Sequence, residues 1–152
     1  MSPSDDSPAP IRSILAPTDG SDAATAALER ALELAASLEA TVHVLSVVDT
    51  TSNPMQFGVS EVADLDRTAT ELVEDVADAC DDGPIPAIEG AVRRGRPAPT
   101  ILDYAAENGI DLLVVGRTGR GVVAKTLLGS TADRLVRQAP IPVVVVPDGG
   151  AE

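Results

Sequence analysis

The stretch LLVVGRTGRGVVAKTLLGSTADRLVRQAPIPVVVV, residues 112–146, indicates the fold more clearly than any other part of the chain. It begins with an unbroken apolar run, Leu112 to Val115, and ends with a second one, Ile141 to Val146. A glycine-rich basic loop, Gly116 to Lys125, and a helical segment that starts at Ser130 lie between them. Two apolar strands joined through a loop and a helix are typical of a parallel sheet in an α/β protein.

The loop and the start of the helix have the chemistry of an anion-binding site. Glycines let the backbone approach a ligand where a Cβ atom would clash, and the segment contains Gly116, Gly119, Gly121 and Gly129. Ser130 and Thr131 add hydroxyl groups at the helix start, where they can either cap the helix or bind a phosphate. The free N–H groups and the macrodipole of a helix N-terminus favour the same kind of ligand.

The charge of this segment differs from the charge of the whole chain. The 152 residues include 24 acids and 11 basic residues, which gives a formal net charge of −13. Residues 116–138 nevertheless contain one acid, Asp133, and five of the basic residues: Arg117, Arg120, Lys125, Arg134 and Arg137. We interpret Arg134 and Arg137 as the solvated face of a helix. Phosphate binding and solvent exposure are equally compatible with the other three.

These residues resemble the ATP-binding signature of the universal stress protein family. The signature here is Gly116, two residues, Gly119, nine residues, Gly129 and then Ser130. Other segments are similar to that family and follow in matching order: Ala16-Pro17-Thr18-Asp19-Gly20-Ser21 after the first strand, Ser46-Val47-Val48-Asp49 at the end of the second, Gly95-Arg96-Pro97 before a helix, and Asp111 before the fourth strand. A glycine-rich loop alone is a weak signal, but these matches together span residues 11–147.

The resemblance implies an ATP site built from two groups of residues. The phosphates and ribose would be held by the loop and the helix start: Gly116, Arg117, Thr118, Gly119, Arg120, Gly121, Gly129, Ser130 and Thr131. The adenosine end would be lined by Pro17, Asp19 and Val47, and the site would also include Thr18 and Val115. Mg²⁺ or Mn²⁺ would bridge the phosphate oxygens, since the sequence offers no cage of protein ligands. Judged by residue type alone, Asp19 is better suited to cap the first helix, whereas the resemblance favours nucleotide contact.

The alternation of strands and helices predicts one α/β domain, residues 11–147, with tails at 1–10 and 148–152. The expected fold is an open, Rossmann-like, parallel five-stranded sheet with helices on both faces, and the resemblance implies the strand order 3-2-1-4-5. Asp19 and Gly116 would then follow neighbouring strands, where sheets of this kind bind ligands. The predicted strands are 11–16, 41–48, 87–92, 112–115 and 141–146, and the predicted helices are 21–39, 60–80, 97–108 and 130–138.

Composition restricts the location and the partners of the protein. Cys80 is the single cysteine, which excludes an intrachain disulfide and favours a reducing compartment. No apolar run reaches the roughly 18 residues of a membrane span, so we expect a cytoplasmic protein with no membrane contact. The negative charge also argues against nucleic-acid binding. Abundant acids and scarce lysine resemble proteins of salt-loving organisms, although an ordinary acidic cytoplasmic protein remains the alternative.

The last strand and the single histidine carry two further predictions. Residues 141–146 are apolar without alternation, which predicts burial on both faces, and the implied strand order places them at the sheet edge. An apolar edge predicts a homodimer through this strand. The alternative is a strand covered by helices, with its edge left in water. His43 has no acid or cysteine near it in the sequence, and we interpret it as structural.

Three functions follow from the residues and the resemblance. The first is an ATP-binding regulatory protein of the stress response that acts on an unknown protein partner. The second is a slow nucleotide hydrolase or adenylyl transferase of a related fold. The loop Thr18-Asp19-Gly20-Ser21-Asp22 departs from the Ser-Gly-Gly loop of such enzymes, and no general base stands out beyond Asp19, so we expect at most a weak ATPase. The third is a dimeric adaptor that binds no nucleotide, and the complete glycine signature argues against it.

Overall fold

The computed structural model describes residues 10–19, 21–48, 67, 70, 71, 74, 75, 78, 87–117 and 129–147. Eight elements have defined bounds within them: β1 Ser13–Thr18, α1 Asp22–Leu38, β2 Thr41–Val48, β3 Ile88–Arg94, α2 Pro97–Glu107, β4 Leu112–Gly116, α3 Ser130–Gln138 and β5 Val143–Val146. Residues 67, 70, 71, 74, 75 and 78 are exposed helical positions within the helix predicted for 60–80. The rest of that helix, with Cys80, lies outside the described residues, as do nearly all of the two predicted tails.

The five strands form one parallel sheet in the order β3-β2-β1-β4-β5, which confirms the expected order. Successive residues of a strand face opposite sides of a sheet, and β1 shows the result. Ile14 and Ala16 pack in the apolar cluster beneath α1. Leu15 packs in the opposite cluster with Ile101 of α2 and Leu135 of α3. Helices therefore cover both faces, as the sequence predicts.

The predicted bounds of the first strand, 11–16, are wrong at both ends, since β1 runs from Ser13 to Thr18. The strand continues to Thr18, with Pro17 opposite Leu45 in the register with β2. Asp111 N–H donates to Ser13 O, so the odd-numbered residues of β1 direct their backbone groups towards β4. The described pairing of β1 with β4 covers Ile14 and Leu15. The backbone nitrogen of Pro17, which carries no hydrogen, faces β4 beyond the described pairs. Proline therefore removes no hydrogen bond between β1 and β2.

Other boundaries shift for similarly local reasons. The last strand begins at Val143 rather than residue 141, because its first bond to β4 runs from Leu113 N–H to Pro142 O and Pro142 itself has no N–H. β3 continues to Arg94, since it pairs with β2 as far as Val48. The turn into α2 then passes through Gly95, whose φ of +142° is accessible to glycine but strained for other residues.

Asp111 joins the amino ends of β1 and β4. Its Oδ2 accepts hydrogen bonds from Arg12 N–H at 3.0 Å and Ser13 N–H at 3.1 Å. Its own N–H donates to Ser13 O at 2.9 Å. The side chain thus fixes the register of the two central strands from the edge opposite their carboxyl ends. The family similarity at Asp111 therefore has a structural cause.

Candidate functional site

The topology creates a crevice at the carboxyl ends of β1 and β4. From β1 the chain passes through α1 to β2 on one side, whereas from β4 it passes through α3 to β5 on the other. The two connections leave the sheet in opposite directions, and a space opens between them. The predicted site residues Thr18 and Asp19 lie at one wall of this crevice and Gly116 and Arg117 at the other.

The wall after β1 is shaped by hydrogen bonds within its own turn. Asp19 Oδ1 accepts from Ser21 N–H at 2.9 Å, and Ser21 Oγ accepts from Ala24 N–H at 3.1 Å. Ser21 is therefore the N-cap of α1, while Asp19 holds the turn that presents it. Asp19 is exposed and Thr18 is only 6% exposed. The sequence left capping and ligand contact open for Asp19, and the structure shows a role in the turn.

At the wall after β4, the glycine at position 116 is required by packing against α1 and not by the space that a ligand needs. A Cβ atom on Gly116 would lie 2.6 Å from Ala23 O, 2.7 Å from Ala23 C and 2.9 Å from Ala23 Cβ. Two of these three atoms are backbone, so they cannot move aside as a flexible side chain could. Gly116 therefore permits α1 to approach β4, and this packing alone accounts for the glycine.

Both ends of the glycine-rich loop are held at one point. Arg117 N–H donates to Val146 O at 2.9 Å, and Gly129 N–H donates to Arg117 O at 2.7 Å. The loop thus leaves the end of β4 and returns to the same place to start α3. The predicted site residues Thr118, Gly119, Arg120 and Gly121 lie outside the described residues. Among the described residues, the bond from Gly129 N–H to Arg117 O brings Gly116 and Arg117 close to Gly129 and Ser130.

The N-terminus of α3 has the donor pattern of an anion site. Gly129 is the N-cap and makes no side-chain capping hydrogen bond. The first helical bond runs from Asp133 N–H to Gly129 O at 2.9 Å, so the N–H groups of Ser130, Thr131 and Ala132 precede the helical ladder. Neither Ser130 nor Thr131 is the N-cap, so of the two roles that the sequence left open for their hydroxyls, capping does not occur. Their N–H groups and hydroxyls remain suited to an anionic ligand.

Arg117, whose backbone bonds to Gly129 at the start of α3, has a partly exposed cationic side chain. Its Nε atom is buried, and no group of the described chain accepts a hydrogen bond from it. Buried side-chain nitrogens are usually paired, because an unpaired one forfeits its hydration without return. It is the only such atom among the side chains that the structure describes.

Two of the predicted nucleotide contacts, Val115 and Val47, pack in or against the core. Val115 is 5% exposed and packs in the cluster between the sheet and the helices α2 and α3, and Val47 packs against the same cluster. The side chain of Val115 is therefore occupied by protein contacts, whereas Val47 keeps part of its surface exposed. Pro17 is half-buried at the end of β1.

A second polar cluster lies away from the crevice, between β2, β3 and α2. His43 Nδ1 and Tyr104 Oη share a hydrogen bond of 2.7 Å, and their rings meet edge to face at 71° with centroids 5.6 Å apart. The Arg93 guanidinium lies 5.3 Å from the centroid of the Tyr104 ring. Glu89 lies opposite His43 in the register of β2 and β3. The sequence did not reveal this acid as a neighbour, because it is far from His43 along the chain. His43 is thus a partnered core residue, which agrees with the structural interpretation.

Burial dominates the titration of this pair. It lowers the pKa of His43 below 6.5, and the negative charge of Glu89 opposes this only in part. Burial, with Glu89 adding to it, raises the pKa of Tyr104 above 10, while Arg93 acts in the opposite direction. Both groups are therefore neutral at pH 7. An open groove of about 510 Å³ adjoins them, lined by Thr70, Glu74, Glu89, Gly90, Ala91, Val92, Arg93, Tyr104 and Asn108.

The described residues contain no group of three His, Cys, Asp or Glu side chains that could hold a metal ion. Within the same residues, no helix is both long enough and apolar enough to cross a membrane.

Comparison with known proteins places this geometry in a family. The sequence profile described as the universal stress protein family matches residues 10–147. A universal stress protein of Methanothermobacter thermautotrophicus is 32% identical over 140 residues, which are 89% of this chain and 94% of that protein. The structure of UspA from Lactobacillus plantarum superimposes with a TM-score of 0.81 at 31% identity, covering 91% of this chain and 99% of that one. A universal stress protein solved in complex with cAMP has the same fold, with a TM-score of 0.69 at 24% identity, covering 93% and 100%.

Proposed function

The chain belongs to the universal stress protein family, and we propose that it binds ATP in the crevice between β1 and β4 as a nucleotide-dependent regulatory protein of the stress response. One observation carries the proposal. The bond from Gly129 N–H to Arg117 O, 2.7 Å long, joins the two ends of the glycine-rich loop beside the N-terminus of α3. The phosphate-type motif and a helix start without a side-chain cap therefore occupy one place.

The donors at this place fit an anion better than any neutral group. The N–H groups of Ser130, Thr131 and Ala132 point out of the first turn of α3, and the positive end of the helix dipole adds to them. On a protein with a net charge of −13, a site of this kind needs local positive groups to attract a polyphosphate. Arg117 supplies one at the end of β4.

The residues present also fit a divalent cation that is held mainly by the nucleotide. No cluster of three acids or histidines occurs among the described side chains, so the protein would contribute few ligands of its own. Mg²⁺ commonly binds in this way, through substrate phosphates and water with one or two carboxylates. Asp19, exposed at the mouth of the crevice, is the described acid placed to contribute. The cation would neutralise phosphate charge that the acidic surface otherwise repels.

Relatives support an adenine nucleotide as the ligand. The structural neighbour crystallised with cAMP is a universal stress protein of the same fold. At 24% identity that likeness concerns the fold, and it supports our proposal only by showing that a protein of this architecture can hold an adenine nucleotide.

Binding suits the described residues better than hydrolysis. Hydrolysis needs a base within reach of the attacking water. His43 is bonded to Tyr104 beneath α2, away from the crevice, and Asp19 accepts from Ser21 N–H in the turn after β1. We therefore propose a nucleotide sensor that acts through a protein partner in the cytoplasm.

We also propose that the protein is a homodimer through β5. This strand is one edge of the sheet, and Val143, Val144 and Val145 are only half-buried in the single chain. A partly covered apolar edge strand exposes both backbone groups and valine side chains to another chain. Pairing with a second copy around a two-fold axis would cover both.

Calorimetric titration of Mg·ATP into wild type and Gly129→Val tests the binding site. Gly129 has φ −63° and ψ 157°, which valine adopts without backbone strain, but the position is buried, so a circular dichroism spectrum and a cooperative melt must first show that the variant is folded. A branched side chain at the N-cap should lower ATP affinity at least tenfold by obstructing the phosphates. Gln138→Val, exposed at the far end of α3, is the matched control and should bind like wild type. Equal affinity in wild type and a folded Gly129→Val would refute the site.

A further inference from the structure

β3 is the edge of the sheet opposite β5, and part of its backbone faces outward. Among the described residues, only β2 pairs with it. The bonds at the two ends of that pairing run from Val42 N–H to Ala87 O and from Gly95 N–H to the last residue of β2. Because every second residue of a strand bonds to the same neighbour, the odd-numbered residues of β3 direct their backbone groups towards β2. The N–H and C=O groups of Gly90 and Val92 therefore point away from the sheet.

The side chains along this edge leave room beside the strand. Glu89, Gly90 and Arg93 are exposed, whereas Ala91 and Val92 are half-buried. All five line the open groove of about 510 Å³. Because successive residues face opposite sides of a sheet, Glu89, Ala91 and Arg93 share one face. It is the face that α2 covers, since Ala91 packs against the cluster on that side.

The charges on this face make the edge complementary to itself. Reversing the strand about Ala91 puts Glu89 in the place of Arg93 and Arg93 in the place of Glu89. Within one chain the two lie four residues apart along a strand, roughly 13 Å, so they cannot pair with each other. Glu89 forms no ion pair with another described side chain, and Arg93 lies over the Tyr104 ring. Both charges are thus available to a second strand.

The outward backbone groups fit the same register as the charges. In an antiparallel pair, opposite residues alternate between those that exchange two hydrogen bonds and those that exchange none. With Ala91 opposite its own copy, Gly90 and Val92 of the two chains form the bonded pairs. Glu89 and Arg93 then face each other in non-bonded pairs, where side chains are closest. Two-fold registers centred on Gly90 or Val92 would instead place each charge opposite an uncharged residue.

We propose that β3 pairs with β3 of a second copy of this chain, antiparallel and centred on Ala91, with Glu89 and Arg93 of each copy facing the opposite charge. The contact is independent of the ATP site and lies on the other edge from β5. Where β5 also pairs, the contact joins dimers into larger assemblies. Two short strands bury little surface, so the contact is weak and depends on concentration, and it adds little to the mass at micromolar concentration.

Disulfide trapping tests this contact and its register. Ala91→Cys is combined with Cys80→Ser, which leaves one cysteine, and is incubated in a glutathione redox buffer. Opposite residues of a non-bonded pair have Cα atoms about 4.5 Å apart, within disulfide range, so we expect a covalent dimer on a non-reducing gel. Val92→Cys in the same background is the matched control, one residue along. The Cα atoms of its two copies would lie roughly 9 Å apart, beyond that range, and it should stay monomeric.

Exchange of the charges tests the two ion pairs. In the Ala91→Cys protein, Glu89→Arg places arginine opposite arginine and should lower the initial rate of crosslinking about tenfold or more. Arg93→Glu alone places two carboxylates opposite each other and should have a similar effect. The two substitutions together restore opposite charges and should return the rate to within about threefold of the parent. Thermal melts establish that each variant is folded.

The outcomes decide between pairing of two copies and other uses of the edge. A monomeric Ala91→Cys, or equal crosslinking of Ala91→Cys and Val92→Cys, would refute the contact as proposed. Folded single charge variants that crosslink like the parent would refute the ion pairs, and so would a folded double variant that is not restored. If the charge variants do not fold, the two cysteine variants still decide. If Ala91→Cys stays monomeric but forms a mixed disulfide with an added lysine-rich peptide that carries one cysteine, the edge suits a basic partner, and pairing between copies is refuted.

Discussion

Gly116 belongs to the glycine signature, but the structure explains this glycine by helix packing and not by ligand binding. The signature predicts a glycine that leaves room for phosphates, whereas the structure has the backbone of Ala23 where its Cβ would be. The sequence could place Gly116 at the end of a strand but not identify this contact, because Ala23 belongs to a different helix. The spacing of glycines in the sequence identifies Gly116 as part of the signature, and its contact with Ala23 in the folded protein explains why it is glycine.

Gly116→Val should therefore damage the fold as well as the site. Overpacking against backbone usually lowers stability by about 1–3 kcal/mol, and urea denaturation should show a loss of this size or more. Ala23→Gly should not rescue the variant, since Ala23 O and Ala23 C, at 2.6 and 2.7 Å, would still clash. Unchanged stability in Gly116→Val would contradict the packing account.

The lowered pKa of His43 predicts that the stability of the fold decreases at acid pH. Burial lowers its folded-state pKa below 6.5, so as the pH falls the unfolded chain takes up a proton before the folded chain does. The stability that the neutral imidazole contributes is present above pH 6.5 and is lost as the pH falls through the lowered pKa.

His43→Gln should weaken this pH dependence, because glutamine can still bond to Tyr104 Oη but does not titrate. The measurement is the urea midpoint of both proteins between about pH 5 and pH 8. Wild type should lose stability more steeply than the variant below pH 6.5. Parallel curves would show that His43 contributes nothing to the dependence.

At the scale of elements, the sequence predicted types and order well and boundaries less well. β2 and α3 have the predicted bounds, and for α3 the glycine at its N-cap, Gly129, marks the start. β1 was misjudged at Pro17, since the sequence does not show that this residue faces the gap between β1 and β4. The loop was recognised as one site, but the bond between Arg117 and Gly129 that closes it depends on the tertiary fold.

β5 is the element on which assembly should depend. Light scattering of wild type should give twice the 15.5 kDa mass of the chain. Val144→Lys should shift the mass towards monomer, because the lysine stem can stay against the core while its charge reaches the strand edge. Val136→Lys, on the exposed surface of α3, is the control and should remain dimeric. A wild-type mass of one chain at micromolar concentration would refute the dimer.

For the whole molecule, a net charge of −13 implies self-repulsion that salt relieves. The screening length falls from about 10 Å at 0.1 M to about 3 Å at 1 M salt. The melting temperature should rise as KCl increases from near zero into the molar range, with most of the gain at the low end. Sucrose serves as an uncharged control and should not reproduce that early rise. A melting temperature that is constant in KCl would argue against adaptation to high salt.

The central claim is that the crevice between β1 and β4 binds an adenine nucleotide, and equilibrium dialysis tests it most directly. Purified protein, freed of nucleotide, is dialysed with Mg²⁺ against equimolar ATP, GTP, CTP, cAMP and adenosine. Mass spectrometry then measures the excess of each on the protein side. We predict an excess of ATP approaching one per chain at saturation, little GTP or CTP, and loss of that excess in Gly129→Val. An equal distribution of all five compounds, or an excess of a non-adenine nucleotide, would contradict the claim.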